Sequence, residues 1–269
     1  MWSPDSPKWH IGLSARRLVR ARMGGTWPSK IVACDNIACA PDKDKAPWQA
    51  AVNALARLLA EEGARGATLH VVLSGHFVRW QLLDWRVELT RQREIAAYAR
   101  LRFAETFGKA AGDWDVLHSL QPPGKAVPAC AVDAGLVRAL HAVCTDAGAR
   151  LAVVTPYFAS AADHWRKTLG GKTAWFGLIE PDCVSLGLLR NGDWLGLHTQ
   201  RVDSDWQDVL PGMMARIGIT AGLGETSAPV YLVGVDEAPI ADVTMPLIWL
   251  RPNASAKGAI DGCRMAMGV

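Results

Sequence analysis

WFGLIEPDCVSLGLLRNGDWLGLHTQR, residues Trp175 to Arg201, reads as three strands joined by two tight turns. The turns, Glu180-Pro181-Asp182 and Asn191-Gly192-Asp193, carry the Pro, Asn, Gly and Asp chemistry of short reversals. A shorter version opens the chain in Trp9 to Met23, WHIGLSARRLVRARM. There a strand (Trp9–Leu13) meets a turn at Ser14-Ala15-Arg16 and a second strand (Leu18–Met23). Two hairpin-led halves in one chain predict an internally duplicated α/β architecture.

The intervening sequence fits that plan. Ile31–Ala38 continues as a third strand, and Trp48–Glu62 has Val52, Leu55, Leu58 and Leu59 at helical spacing before the stop at Gly63. Thr68–Ser74 is a buried-type strand. From His76 the pattern changes to a strand, a charged helix over Thr90–Phe107 with Ile95, Ala99 and Phe103 facing inward, and a strand over Trp114–Leu120. Residues 76–124 therefore form a small strand–helix–strand insertion. Strand Val127–Val132, helix Ala134–Ala147, strand Arg150–Val154 and helix Tyr157–Leu169 complete the first half, 1–75 plus 125–169. The second half, 170–269, has its hairpin, a helix over Ser204–Ile217, and strands at Val230–Val235 and Leu247–Leu250.

Composition narrows the function classes. The chain has 269 residues, half hydrophobic and a fifth charged, and its net charge of +3 is too slight for a nucleic-acid footprint. Arginines alternate with glutamates on the 90–107 helix, which suits a solvated face rather than a phosphate track. No apolar run reaches the roughly 20 residues of a membrane span, and the first residues lack the basic-then-apolar order of a secretory signal. The expected location is the cytoplasm. The six cysteines show no C-x-x-C spacing and read as reduced, buried thiols. Most of the twelve tryptophans fall on apolar faces. Trp80, Trp85 and Trp114, bracketed by Arg79, Arg86 and Asp113, fit either a partner groove or packing of the insertion's sheet on its helix.

Several familiar motifs fail. Gly171-Lys172-Thr173 lacks the upstream glycine of a P-loop, because Arg166 holds that place, and it follows a helix where a strand is required. The seven histidines form no helical metal pair, and Ser14, Ser74 and Ser185 lack a nucleophile-elbow context. No metal site is expected.

The segments Ile11–Gly25 (IGLSARRLVRARMGG), His70–Trp85, Arg102–Gly108, Ala129–Pro156 and Trp175–Arg201 together resemble the actin-like ATPase superfamily, with its ribonuclease H-like duplicated fold. More narrowly, they resemble PilM of type IV pili and the cytoplasmic part of GspL of type II secretion. The resemblance spans about residues 9–235. It implies nucleotide-cleft positions at Ser14, Arg16, Glu180, Asp182 and Gly234, and these depart from the superfamily pattern. The first turn has two arginines and no carboxylate, where an aspartate and small residues are expected. Pro181 removes an N–H donor from the second. Gly234 lacks a glycine neighbour, and only Val202–Pro229 separates the second hairpin from the adenosine-side strand.

The resemblance thus implies a pseudo-ATPase without a cofactor: a scaffold peripheral to the inner membrane. It would bind the cytoplasmic tail of a single-span (bitopic) inner-membrane protein, with Arg79, Trp80 and Trp85 as contacts. A secretion ATPase as second partner and a homodimer are further expectations. The rival reading is an ATPase or phosphotransferase using Glu180 or Asp182 with magnesium and ATP. A third is an actin-like remnant kept for dimerisation.

Overall fold

The computed structural model describes residues 7–24, 30–202, 205–223, 227–234, 246–251 and 263–269. In chain order these form β1 (Lys8–Leu13), β2 (Arg17–Gly24), β3 (Lys30–Ala38), α1 (Gln49–Glu61), β4 (Thr68–Leu73) and a single 3-10 turn (Gly75–Phe77). β5 (Val78–Leu83), α2 (Gln92–Phe107), β6 (Trp114–His118), β7 (Val127–Asp133), α3 (Ala134–Asp146) and β8 (Arg150–Pro156) follow. Then come α4 (Tyr157–His164), α5 (Arg166–Leu169), β9 (Thr173–Glu180), β10 (Cys183–Arg190), β11 (Asp193–Arg201) and α6 (Trp206–Thr220). β12 (Val230–Gly234), β13 (Leu247–Trp249) and a last short helix, α7 (Arg264–Met267), follow, and a second 3-10 segment (Gly108–Asp113) lies between α2 and β6.

Two five-stranded sheets share one plan. The first has order β3-β2-β1-β4-β8 and the second β11-β10-β9-β12-β13. In each, the first three strands pair antiparallel and the last two add in parallel. Among the described residues, one helix lies between the third and fourth strands of each half in chain order, α1 in the first and α6 in the second. The expected duplication is present strand for strand.

The chain divides into two compact units. The first comprises Met1–Phe77, Gly135–Ala161 and Arg251–Val269, and the second Val78–Ala134 and Ala162–Leu250. Two details differ from the sequence boundaries at 124 and 170–269. β7 pairs with both β5 and β6, in the order β5-β7-β6, so it is the central strand of the inserted segment's sheet. Its VPACAVD sequence is buried nearly throughout and reads equally well in either sheet, so sequence could not place it. The last residues, 263–269, join the first unit, where α7 lies against β1, β2 and β4.

Within the first unit, α1 buries Val52, Leu55, Leu58 and Leu59. Its end is tied to β2 by Arg20, which is 3% exposed. The Arg20 guanidinium donates to Asp35 Oδ2 at 2.7 and 2.8 Å, reaches Glu62 Oε1 at 3.1 Å and lies over the Trp9 ring at 4.8 Å. A buried cation is tolerated because its donors are met on several sides.

Cysteine chemistry is a correction. The sequence suggested six reduced thiols, but Cys34 on β3 is bonded to Cys263, with Cα atoms 5.7 Å apart and 229 residues between them in sequence. Docking of 263–269 on the first sheet creates this pair, and no local spacing rule can see it. Cys39, Cys130, Cys144 and Cys183 are buried free thiols, as expected.

In the second unit, β9 and β10 are buried along nearly their whole length. Such strands read as continuous apolar runs rather than alternations. One face carries Trp175, Val184, Leu186, Leu188, Val230 and Leu232 against Trp206, Leu210, Met213, Met214 and Ile217 of α6. Asn191 (φ 55°) and Gly192 (φ 86°) both take positive φ, the requirement of a primed two-residue hairpin turn. The inserted segment keeps a separate small core of Leu83, Ala99, Phe103, Ala111, Val116, Val127, Ala129 and Ala131.

Three histidines make the fold sensitive to acid. His10 and His70 face each other across β1 and β4, ring centroids 5.2 Å apart. Burial holds His10 below its ordinary 6.5, assisted by His70 and Lys8. His70 is held down by burial, then Lys8 and Arg150, and His198 by burial, then Arg216. Each is more easily protonated when unfolded, so the unfolded state binds more protons as pH falls below about 6.5. Stability is therefore full above that value and is lost as pH drops through the depressed folded values. A melting temperature measured from pH 7.5 to pH 5 should fall, and replacing His10 and His70 together by Gln should flatten the decline.

Candidate functional site

Ser14 is satisfied within the first turn. Ser14 N–H donates to the Arg17 carbonyl at 2.9 Å, and the Ser14 hydroxyl donates to the same oxygen at 3.0 Å. The Arg16 carbonyl accepts from Cys39 N–H at 2.8 Å, which fastens the turn to the end of β3. Ser14 is buried and Arg16 exposed. A phosphate needs backbone donors directed outward, and the Ser14 amide and hydroxyl are spent within the turn.

The second turn is a two-residue reversal, Pro181-Asp182, closed by the Glu180–Cys183 pair. Pro181 has no N–H to offer. Glu180 is 4% exposed, so its carboxylate points away from bulk water. Arginines stand in the same neighbourhood. The Cys183 thiol is pushed far up by burial, then by the carboxylates of Glu180 and Asp182, against the opposing pull of Arg201 and Arg79. The Arg79 guanidinium is held below its usual range by burial and then by Arg201. Two carboxylates and two guanidiniums thus lie within electrostatic reach of one buried thiol.

Gly234 ends β12 with φ 141°. A Cβ built there would lie 2.0 Å from the Ile179 carbonyl oxygen on β9. The register pairs Gly234 with Ile179, so close strand packing alone requires glycine. Among the described residues, α6 is the one helix between β11 and β12.

The expected partner contacts are divided by the pleat. On β5, Arg79, Gln81 and Leu83 alternate with Val78, Trp80 and Leu82. Gln81 donates to the Arg102 carbonyl and Thr106 of α2, and Leu83 joins the α2-side core. Arg79 belongs to that row, whereas Trp80 points to the opposite face beside Cys130. Trp85 lies beyond the strand and is 43% exposed. Trp114 packs edge-on to Phe107 at 5.2 Å and is a packing residue. Sequence reasoning missed Arg201, which joins Arg79 only through folding, and the Arg86–Tyr98 stack at 5.0 Å, where Nε also donates to the phenol oxygen at 3.2 Å. The i, i+12 separation of Arg86 and Tyr98 gives no periodic signal.

Two sheets of one strand order, each opened by a hairpin, are an actin-like architecture, and comparison with solved structures shows the actin-like ATPase fold over nearly the whole chain. No family model and no curated protein matches the sequence. Among the similar structures is a PilM–PilN type IV pilus biogenesis complex, with TM-score 0.66 and 15% identity over 98% of this chain and 97% of that one. Another is the cytoplasmic domain of EpsL, an inner membrane component of the type II secretion system of Vibrio cholerae. It gives TM-score 0.63 and 12% identity over 97% and 94% of the two chains. A Bacteroides thetaiotaomicron protein of actin-like ATPase fold and unknown function gives TM-score 0.63 and 12% identity over 98% and 95%. No helix among the described residues is long and apolar enough to cross a membrane.

Proposed function

We propose that the chain is a non-catalytic scaffold on the cytoplasmic side of a type IV pilus or type II secretion-like platform, where it holds the cytoplasmic tail of a single-span inner-membrane protein. The observation that carries this reading is full-length agreement with a pilus and a secretion component, combined with turns ill-suited to phosphate. The donor-free Pro181 and the hydroxyl and amide of Ser14 turned into their own loop support the absence of turnover. A secretion ATPase is the second partner this role accommodates, and a homodimer is compatible with it.

Thermal-shift titration tests the proposal. A ligand that binds only the native state at a hundred times its Kd adds about 2.7 kcal/mol, which raises the melting temperature by roughly 5 °C or more in a chain this size. Peptides from candidate membrane-partner tails should produce such a rise, and magnesium-ATP should not. A nucleotide-dependent rise that vanishes in Glu180→Ala would replace the scaffold with an ATPase or phosphotransferase. At the contact itself, Trp85→Ala should weaken tail binding at least tenfold, as expected for a tryptophan anchor. Its exposure predicts an unchanged melting temperature, and unaltered affinity would remove Trp85 from the interface.

A further inference from the structure

We propose that Cys34–Cys263 is a reversible latch: the disulfide holds residues 263–269 over one face of the first sheet, and reduction by a dithiol releases them. The four remaining cysteines leave the chemistry to this pair. All four are buried, and burial raises the Cys130 and Cys144 thiols to about 11 and moves Cys39 and Cys183 upward too. Thiolate, the reactive form, is scarce at such sites.

The latch is reachable from one side. Cys34 lies on β3, an edge strand, and is only half-buried, with exposed Val32 and Asn36 along the same strand. Cys263 is fully buried. A reductant therefore meets Cys34 Sγ first. Its thiolate bonds to that sulfur as the S–S bond breaks, and the electron pair leaves on Cys263 Sγ, which takes up a proton. The reductant's second thiol then displaces Cys34, leaving an oxidised dithiol and two protein thiols.

Apart from the disulfide the latched segment is held by packing, with Arg264, Met265 and Ala266 buried beside Cys263. Its helix is four residues long, too short to persist alone. It sits where Gly12 has no side chain: a Cβ there would meet Met265 Cγ at 2.8 Å and the Ala266 nitrogen at 3.0 Å. Cys263 and Ala266 cover Val19 and Ala21 of β2. At the far end the Tyr157 hydroxyl donates to the Val269 carbonyl at 2.8 Å. Release uncovers Gly12, Val19 and Ala21, an apolar strip on β1 and β2. Closure is the reverse exchange: a small-molecule disulfide accepts the two electrons and leaves as two thiols while the Cys34–Cys263 bond re-forms, so the open form rests in a reducing compartment and closure follows an oxidising excursion.

The test uses the full chain, with dithiothreitol as the probe. Native protein is treated with and without it, alkylated with iodoacetamide and mapped by mass spectrometry. Hydrogen exchange of the 263–269 peptide is followed in parallel. Dithiothreitol should add labels at Cys34 and Cys263 alone. Exchange of the Gly268 and Val269 amides, which donate to the Met265 and Arg264 carbonyls, should quicken at least tenfold while β1 and β4 stay protected. Cys34→Ser should reproduce the fast exchange without reductant, and if that variant does not fold, reduced wild type gives the same reading. Unchanged exchange after reduction would make the bond a static staple. Labelling of both residues before reduction would remove the bond. Either result overturns the proposal.

Discussion

Gly234→Ala should cost about 2–6 kcal/mol of stability. At φ 141° an alanine occupies backbone space that only glycine visits freely, a strain of about 1–3 kcal/mol. The new methyl would also sit 2.0 Å from the Ile179 carbonyl oxygen. That oxygen belongs to β9, the central strand of its sheet, which is paired on one side by β10 and on the other by β12. Relief requires the strands to part, and overpacking of this kind costs a further 1–3 kcal/mol or so. Against a typical total of roughly 5–15 kcal/mol, the loss is a large share. Urea unfolding monitored by tryptophan fluorescence measures it. Gly212→Ala is the control, since its Cβ would meet nothing within 4 Å on α6, and helical alanine should be neutral or stabilising by up to about 1 kcal/mol. Equal midpoints for both variants would show that β12 moves aside freely. Glycine at 234 is explained by this approach of two backbones, whether or not a nucleotide base was ever held nearby.

The same position shows what sequence could and could not reveal. Each strand of the Trp175–Arg201 segment is where its turn residues place it, because Pro181-Asp182 and Asn191-Gly192 act locally. Helix α2 likewise follows from the spacing of Ile95, Ala99 and Phe103. The partnership of strands at opposite ends of the chain is another matter. β7 is apolar at nearly every position, so nothing in VPACAVD says whether it joins the first sheet or the inserted one. Cys34 and Cys263 meet because a four-residue helix docks against β1, and the tail from Pro252 to Val269 is ambiguous as sequence. Site residues divide along the same line. The two arginines of the first turn and Pro181 were legible as departures from a phosphate hairpin, whereas the Ser14 hydrogen bonds that close the first turn were not. The nearness of Arg201 to Arg79 was not, because it depends on β5 lying beside β11. Arg79 and Trp80 are sequence neighbours and looked like one contact surface, yet a strand sends adjacent side chains to opposite faces.

Phe103→Ala should destabilise the protein by about 3–5 kcal/mol and loosen the inserted segment before the five-stranded sheets. Phe103 is fully buried. It stacks on Phe107 at 5.9 Å and meets Trp114 edge-on at 6.5 Å. Its buried companions are Leu83 and otherwise only alanines and valines. Phe107 and Trp114 touch the ring, but these short side chains cannot swing into the vacated volume, so part of the cavity persists. α2 gains little from its exposed face, and removing its one large fully buried side chain loosens its hold on β5 and β7. Hydrogen exchange should therefore quicken in 92–118 while β9, β10 and β12 remain protected, with global unfolding following at lower urea than in wild type. The functional consequence separates two roles. If the tail is held through the inserted segment, Phe103→Ala loses both its stability and its peptide-induced thermal shift, whereas Trp85→Ala loses the shift alone. A Phe103→Ala protein with a loosened α2 but wild-type peptide affinity would move the docking surface away from residues 78–118, and Arg79, Trp80 and Trp85 with it.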